Sequence, residues 1–531
     1  MRTASGGPKT RDRVAKMGCR AVNVVPAPAE IVVGGPSFEL GPGTTIGVGE
    51  LEGLGKALRA YLAPATGLAL PFAGPGADQI RLRIDRQLHE SPEGYRLEVL
   101  ADGVEIVGAG EAGVFYGIQT LRQLLPVEIY AATPVADVVW RVPGVVVADA
   151  PRFASRGALL DVSRHFFPAD YVRRFIDLLA VHKFNTLQLH LTDDQGWRLE
   201  ISAYPRLTEI GAWREGSMVG HHREALDRND HDGVRHGGYY TRRDIEELVA
   251  YAAERYVTIV PEVELLGHVQ AAIAAYPWLG STGKQLAVAT GWGVSPHVLK
   301  PSPRTLAFCR EVLDEVFSLF PGTYIHVGGD ECPTDEWQAS PEVQQHMREL
   351  GLADEAELQG WFMGELGSVA ALGGRTMIGW DEIVESGLPA NSIVMSWRDE
   401  EGGVTAVRRG HRVVMTPQSH TYFDHYQSRD WDAEPLAIGG CTDIRTVYDY
   451  EPIPDELVGV ERDRVLGSQF QLWTEYIRTP SELEYMAFPR ACAFAEVVWA
   501  EQRDANGFFG DRLQAHLGRL RQLEVDYREP S

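Results

Sequence analysis

The chain has 531 residues, 44% of them hydrophobic and 23% charged, the balance of a globular protein with ample material for a large core. With 74 acidic against 50 basic residues the net charge is -24, which excludes nucleic acid and anionic membrane surfaces as partners and leaves a neutral ligand such as a sugar open. The five cysteines (Cys19, Cys309, Cys332, Cys441, Cys492) are few and widely spaced, with no zinc-type spacing, and a reducing compartment is the simplest reading.

The opening stretch "MRTASGGPKTRDRVAKMGCRAVNVVP" is basic and polar and lacks the apolar run of a secretory signal. No run of about 18 apolar residues follows anywhere, so no membrane span is expected and a cytoplasmic location is the default. Residues 1–20 read as a disordered basic tail. Between 21 and 150, "IRLRID", "YRLEVL" and "GVEIVG" alternate as half-buried strands, and "EAGVFYGIQTLRQLLP" has helical spacing up to Pro126. That mixture predicts a small α+β domain.

From residue 151 to 531 short apolar strands alternate with amphipathic helices. Eight strands are expected: "RGALLDVS", "TLQLHLTDD", "VTIVPEVE", "TYIHVGGDE", "TMIGWDEI", "SIVMSW", "RVVMTP" and "VLGSQFQLW". Between them lie helices such as "PADYVRRFIDLLAVHKF" and "TRRDIEELVAYAAERY", the latter opening with a capping box at Thr241 and Asp244. Eight units point to a (β/α)8 TIM barrel preceded by the small α+β domain, with a doubly wound sheet as the competing architecture. "DRLQAHLGRLRQLEVDY" predicts a C-terminal amphipathic helix on the barrel exterior.

Chemistry in parallel α/β folds sits at the carboxyl ends of strands. Those ends carry Arg164, Asp193, Asp194, Glu264, His268, Asp330, Glu331, Trp380, Asp381, Glu382, Trp397, Tyr422, Asp424, Trp473 and Glu475. There is no Walker loop and no strand-following GxGxxG, so phosphate is not the ligand. Carboxylates with tryptophans suit carbohydrate, whose ring faces stack on indole and whose hydroxyls pair with Asp, Glu and Arg. Each residue alone has a plainer reading: a solvated DE pair, a core histidine, core tryptophans, Asp381 and Glu382 paired with backbone or Arg. A metal at Asp193, His268, Asp330 and Glu331, or in the loop holding His221, His222, His231 and His236, is a further reading; "DRNDHDG" departs from calcium-loop spacing, and that loop is read as solvated.

In order along the chain, "LDVSRHF", "HLTDDQGWR", "HVGGDE", "GWDEI", "VMSWR", "EPLAIGG", "LWTEY" and "FPRACAFAEVVW" resemble glycoside hydrolase family 20, the β-N-acetylhexosaminidases, from about Asn23 to Trp499. The resemblance implies exo-acting, retaining hydrolysis in which the substrate's own 2-acetamido oxygen attacks C1, with no metal or organic cofactor. It implies that Asp330 orients the acetamido group, that Glu331 is acid and then base, and that Asp193 and His268 form a pair beside that acid. Tyr422 would bond the acetamido carbonyl, Trp380, Trp397 and Trp473 would wall the sugar, and Arg164, Asp424 and Glu475 would hold ring hydroxyls. Trp431 would reach the next sugar. The implied partner is a glycan ending in N-acetylhexosamine. A same-family enzyme releasing a disaccharide or a sulfated sugar, and a non-catalytic carbohydrate-binding protein, are the alternatives. For Glu331 to keep its proton near neutral pH, its pKa is expected to rise through burial and the neighbouring Asp330 charge. Two positions depart from the family's pattern: Leu266 in "PEVELLGH", where a proline is usual, and Tyr256, where a helix-ending glycine is usual.

Overall fold

The structure is a computed structural model that describes residues 22–530, apart from 75, 224–229, 385–387 and 390. The expected tail at 1–20 therefore lies outside the described residues.

The first unit is a six-stranded mixed sheet in the order Glu30–Val33, Val145–Asp149, Tyr95–Leu100, Gly103–Gly108, Ile80–Ile84, Ile46–Gly47. Leu100 pairs with Gly103, so a two-residue turn makes a hairpin of the two central strands. The helix Glu111–Leu124 lies on this sheet with every residue from Gly113 onward buried, and it ends just before Pro126, which cannot continue it.

The second unit is a closed barrel of eight parallel strands: β1 (Ser155–Asp161), β2 (Thr186–His190), β3 (Thr258–Glu262), β4 (Tyr324–His326), β5 (Thr376–Trp380), β6 (Ile393–Ser396), β7 (Arg412–Met415) and β8 (Val465–Leu472). β8 pairs with β1 in parallel, and this closure excludes the doubly wound alternative. Helices such as Ala169–Val181, Arg242–Ala253, Pro303–Leu319 and Glu355–Leu372 wrap the outside, and Thr241 and Asp244 form the expected capping box. The C-terminal helix Leu513–Gln522 packs against both units: His516 lies 2.9 Å from His182 of the barrel, and Arg519 donates to the Gln123 carbonyl at 3.0 Å.

The two units share a buried polar joint. Asp149 accepts from Lys183 (2.9 Å), the Tyr95 hydroxyl (2.7 Å) and the Trp499 indole (3.0 Å), and Arg156 pairs with Glu93 at 2.8 Å. Tyr256 belongs to this joint. It takes φ +56°, the left-handed conformation for which a glycine is usual, and its ring packs 5.2 Å from Phe115 while its hydroxyl bonds Glu111.

Inside the barrel Leu159, Val260, Ile378, Met395 and Val414 form an apolar layer. Two residues further along the same strands come Asp161, Glu262, Trp380 and Trp397, so the strand period places polar and aromatic groups at the carboxyl-end mouth. Several strands stop earlier than expected. β3 ends at Glu262 rather than Glu264, and β4 at His326, because Gly328 at φ +70° turns the chain out of the ladder.

Candidate active site

At Gly328 a Cβ would fall 1.7 Å from a Glu264 carboxylate oxygen, so only glycine fits where the chain folds over that side chain. The turn continues through Gly329, and Glu331 itself takes φ +41°. The result is that Asp330 and Glu331, adjacent in sequence, open on the same cavity of about 220 Å³ at the barrel mouth. Arg164, His268, Trp380, Trp397, Tyr422, Asp424, Trp473 and Glu475 line it with them. Of the expected site residues, Asp193 alone stands behind the wall, buried beneath His268.

His268 faces both carboxylates: Nε2 is 3.4 Å from Glu331 and 3.6 Å from Asp330, and Nδ1 is 3.4 Å from Asp193 and from Asp194. It sits at φ +51°. Leu266, in place of the usual proline, is fully buried, and its carbonyl accepts the Leu299 N–H at 3.0 Å.

The electrostatics invert one expectation. Burial raises the Asp330 pKa to about 6, although His268 pulls the other way. Glu331 is lowered instead of raised, first by its hydrogen bond with His268 and against a smaller effect of burial. The reason is that Asp330 is enclosed while the Glu331 side chain is 40% exposed and meets a cation. Burial, the largest influence, would deprotonate His268, but Asp193, Asp194 and Glu331 together outweigh it and hold the imidazole well above its ordinary value. Asp193 is in turn held well below the usual range: burial opposes its charge, and Arg164, at 2.7 Å, and His268 prevail.

Aromatic rings form a continuous wall. Trp397 stacks on Tyr422 at 6.2 Å and 23°, Tyr422 lies 6.4 Å from Trp473, and Trp473 lies 6.0 Å from Trp380. The Trp380 indole donates to Glu262 at 3.0 Å and the Trp397 indole to Glu382 at 3.0 Å. Glu382 thus has a task beyond the plain pairing expected of it, and burial together with Asp330 and Asp381 raises its pKa to about 8. At the other end Arg164 lies 5.1 Å over Trp473, and Asp424 Oδ1 is a buried acceptor without a donor among the described residues, as is Asp330 Oδ1. An open carboxylate oxygen at each end of an aromatic slot suits a ligand with N–H or O–H groups at both ends.

Gln418, His425 and Ile438 also line the cavity. Ile438 lies within the quoted "EPLAIGG"; the other two carry no signal in pattern or spacing. The histidine-rich loop is exposed along most of its described residues, as expected, but its histidines are half-buried and fastened. His221 Nε2 is 3.1 Å from the Ile438 carbonyl, His222 N–H donates to the Tyr476 hydroxyl, His231 meets Thr290, and His236 accepts the Phe166 N–H. Residues 227–229 of "DRNDHDG" lie outside the described residues. Trp431 is 53% exposed and stacked flat on Tyr426 at 4.8 Å, outside the cavity lining.

Asp193, Asp194 and His268, and likewise His268, Asp330 and Glu331, bring donor atoms within 4.8 Å of one another. His268 is common to both sets, and its carboxylate neighbours favour a proton on it that a metal would have to displace. The chemistry this donor set supports is proton transfer.

Comparison with known proteins finds relatives along nearly the whole chain. The profile "Glycosyl hydrolase family 20, catalytic domain" matches residues 153–502, and "Glycosyl hydrolase family 20, domain 2" matches residues 21–150. A β-hexosaminidase of Porphyromonas gingivalis is 41% identical over 521 residues, covering 96% of this chain and 65% of that protein. A β-N-acetylhexosaminidase of Cellulomonas fimi is 33% identical, covering 93% of each. Among solved structures, the β-N-acetylhexosaminidase of Streptomyces coelicolor A3(2) superposes with TM-score 0.81 at 34% identity, covering 96% of this chain and 98% of that one. A variant of the Streptomyces plicatus β-hexosaminidase in complex with its product GlcNAc gives TM-score 0.83 at 33% identity, covering 98% and 99%.

Proposed function

The chain belongs to glycosyl hydrolase family 20, and from that premise we propose that it is an exo-acting, retaining β-N-acetylhexosaminidase that removes terminal N-acetylglucosamine or N-acetylgalactosamine. The observation that carries this reading is that two adjacent carboxylates open on one aromatic-walled cavity with a cationic histidine between them. A cavity of about 220 Å³ at the barrel mouth is on the scale of one sugar with its acetamido arm.

In this mechanism the acetamido carbonyl oxygen attacks C1 while the bond from C1 to the leaving oxygen breaks. Tyr422 donates its hydroxyl proton to that carbonyl. Asp330, ionised, accepts the acetamido N–H and stabilises the positive charge of the oxazolinium ion. Holding the nucleophile in place removes the entropy of bringing it there, worth effective molarities of up to ~10⁵–10⁸ M. Glu331 protonates the leaving oxygen. Its proton comes from His268: once a sugar covers Glu331 and excludes water, the carboxylate form is penalised and the proton passes across the 3.4 Å contact. Water then attacks C1 from the face the leaving group vacated, Glu331 takes its proton and returns it to His268 as the product leaves, and the acetamido group is restored. Two inversions give net retention.

The test is hydrolysis of the 4-nitrophenyl β-N-acetylglucosaminide and galactosaminide, followed by proton NMR. Release of the β-anomer first, with competitive inhibition by N-acetylglucosamine-thiazoline, supports the reading. An α-anomer as first product, or indifference to the thiazoline, overturns it.

A further inference from the structure

Glu262, at the end of β3, is fully buried beneath the cavity, and its two oxygens serve different neighbours. Oε1 accepts the Trp380 indole N–H at 3.0 Å and lies 3.0 Å from His326 Nδ1. Oε2 accepts the Gln188 amide N–H at 2.8 Å and lies 2.7 Å from His190 Nδ1. His190 reaches on through Nε2 to Asp193 at 3.1 Å, and Asp193 is the carboxylate that holds His268 and Arg164. Carboxylates and imidazoles alternate along this line: Glu262, His190, Asp193, His268, Glu331.

Packing does not account for a carboxylate here. One step down the same strands the barrel is filled with Val260, Ile378 and Met395. An ion taken out of water costs several kcal/mol, and apolar replacements of buried ion pairs are often neutral or stabilising. The charge must therefore be sought in what it holds.

We propose that Glu262 is a positioning residue that ties the acetamido pocket to the proton-holding pair. With one oxygen it fixes the Trp380 ring that walls the pocket. With the other it holds the His190 ring, 2.7 Å away, against Asp193, and so keeps Asp193 aimed at His268. This inference rests on the function proposed above and extends it to a residue that touches neither the sugar nor the acid.

The experiment compares Glu262→Gln and Glu262→Asp on two substrates, 4-nitrophenyl β-N-acetylglucosaminide, which needs little protonation to leave, and N,N'-diacetylchitobiose, which needs much. Wild-type turnover of both, measured first, tests the function separately from the inference. Gln keeps the shape but neither the charge nor both acceptors. It is expected to lower kcat about 10- to 100-fold on the nitrophenyl substrate through the misplaced wall, and about tenfold further on chitobiose through the acid side, with KM little changed. Asp keeps the charge and should recover at least a tenfold part of the loss. If packing alone mattered, the isosteric Gln would outperform the shorter Asp; that order, or equal losses on the two substrates, would overturn the proposal. Should the Gln variant not fold, His190→Gln, which cuts the link from Glu262 to Asp193, decides instead: a larger loss on chitobiose than on the nitrophenyl substrate supports the inference, and a wild-type ratio refutes it.

Discussion

Replacing His268 with Gln tests where the catalytic proton is kept. His268 Nε2 lies 3.4 Å from Glu331, whose side chain is 40% exposed. Two unit charges about 4 Å apart attract by about 1 kcal/mol in water and about 4 kcal/mol at an effective dielectric near 20. Solvent screening at this exposure places the pair near the lower figure, about 1–2 kcal/mol, and its direction is to lower the Glu331 pKa. In the wild type the pair keeps a proton to well above pH 6.5, because Asp193 holds the imidazole up. In His268→Gln the sole carrier is Glu331, a carboxylate that gives up its proton at far lower pH than the imidazolium does. Turnover of a poor leaving group should then fall by roughly 10²-fold at pH 7, inside the ~10²–10⁴ that general acids contribute. The basic limb of kcat/KM should move to lower pH. His268 also pulls Asp330 down from 3.6 Å, so the acidic limb should move up and the bell should narrow from both sides. The assay is kcat/KM from pH 4 to 9 on chitobiose and on the nitrophenyl glycoside. A basic limb left in place, with less than a twofold change on chitobiose at pH 7, would refute the assignment of the proton to His268.

Asp330→Asn keeps the shape but removes the charge facing the acetamido nitrogen; kcat should fall by roughly 10²–10³ on both substrates, read alongside weakened thiazoline binding. Glu331→Gln should lose ~10²–10⁴ on chitobiose and far less on a dinitrophenyl leaving group, which departs without a proton. Because Asp330 must be ionised and burial raises its pKa to about 6, wild-type kcat/KM should decline as pH falls through about 6 rather than through 4. Asp149→Asn leaves Lys183 buried without its carboxylate at the joint of the two units and should cost about 3–5 kcal/mol, measured by denaturant unfolding.

Much of this was legible in the chain, and the reasons are local. A strand's period of two and its short apolar run announce β1, β2 and β5, and a capping box or a proline marks where helices start and stop. Ten of the eleven expected site residues line the cavity because strand ends in a barrel converge by topology, so their order in sequence is already a map of the mouth. The direction of the Glu331 shift was not legible. It depends on which of two adjacent carboxylates is enclosed and which meets His268, a difference of ångströms set by a turn. Glu262 and Glu382 were equally hidden, since nothing in "PEVE" or "GWDE" says which acid faces an indole. The fastened histidines were misread for the same reason: His221 and Ile438 are 217 positions apart, and only the folded rim brings them together.

The turn that decides these matters is itself held by a mutual arrangement. His268 and Glu331, the two residues between which the proton moves, both occupy the left-handed region, which costs an L-residue roughly 1–2 kcal/mol each. Such strain persists only where surroundings over-determine the backbone. Here Gly267, just before His268, lies so close to the Asp330–Glu331 turn that a Cβ on it would come 3.1 Å from the Asp330 carbonyl oxygen and 3.4 Å from that of Glu331. The two strained turns therefore lean on each other, backbone against backbone, with Glu264 beneath the second. This explains how the chain dispenses with the proline usual at Leu266. A proline would preset the approach to His268 from one side, whereas the contact at Gly267 constrains it from the other, and the Leu266 carbonyl is pinned by Leu299. Gly267→Ala should accordingly damage catalysis more than stability: the turn beneath Glu331 must give by a few tenths of an ångström, and proton transfer is sensitive to displacements of that size. A Gly267→Ala enzyme with unaltered kcat on chitobiose would show that the mutual packing of the turns does not set the distance between acid and histidine.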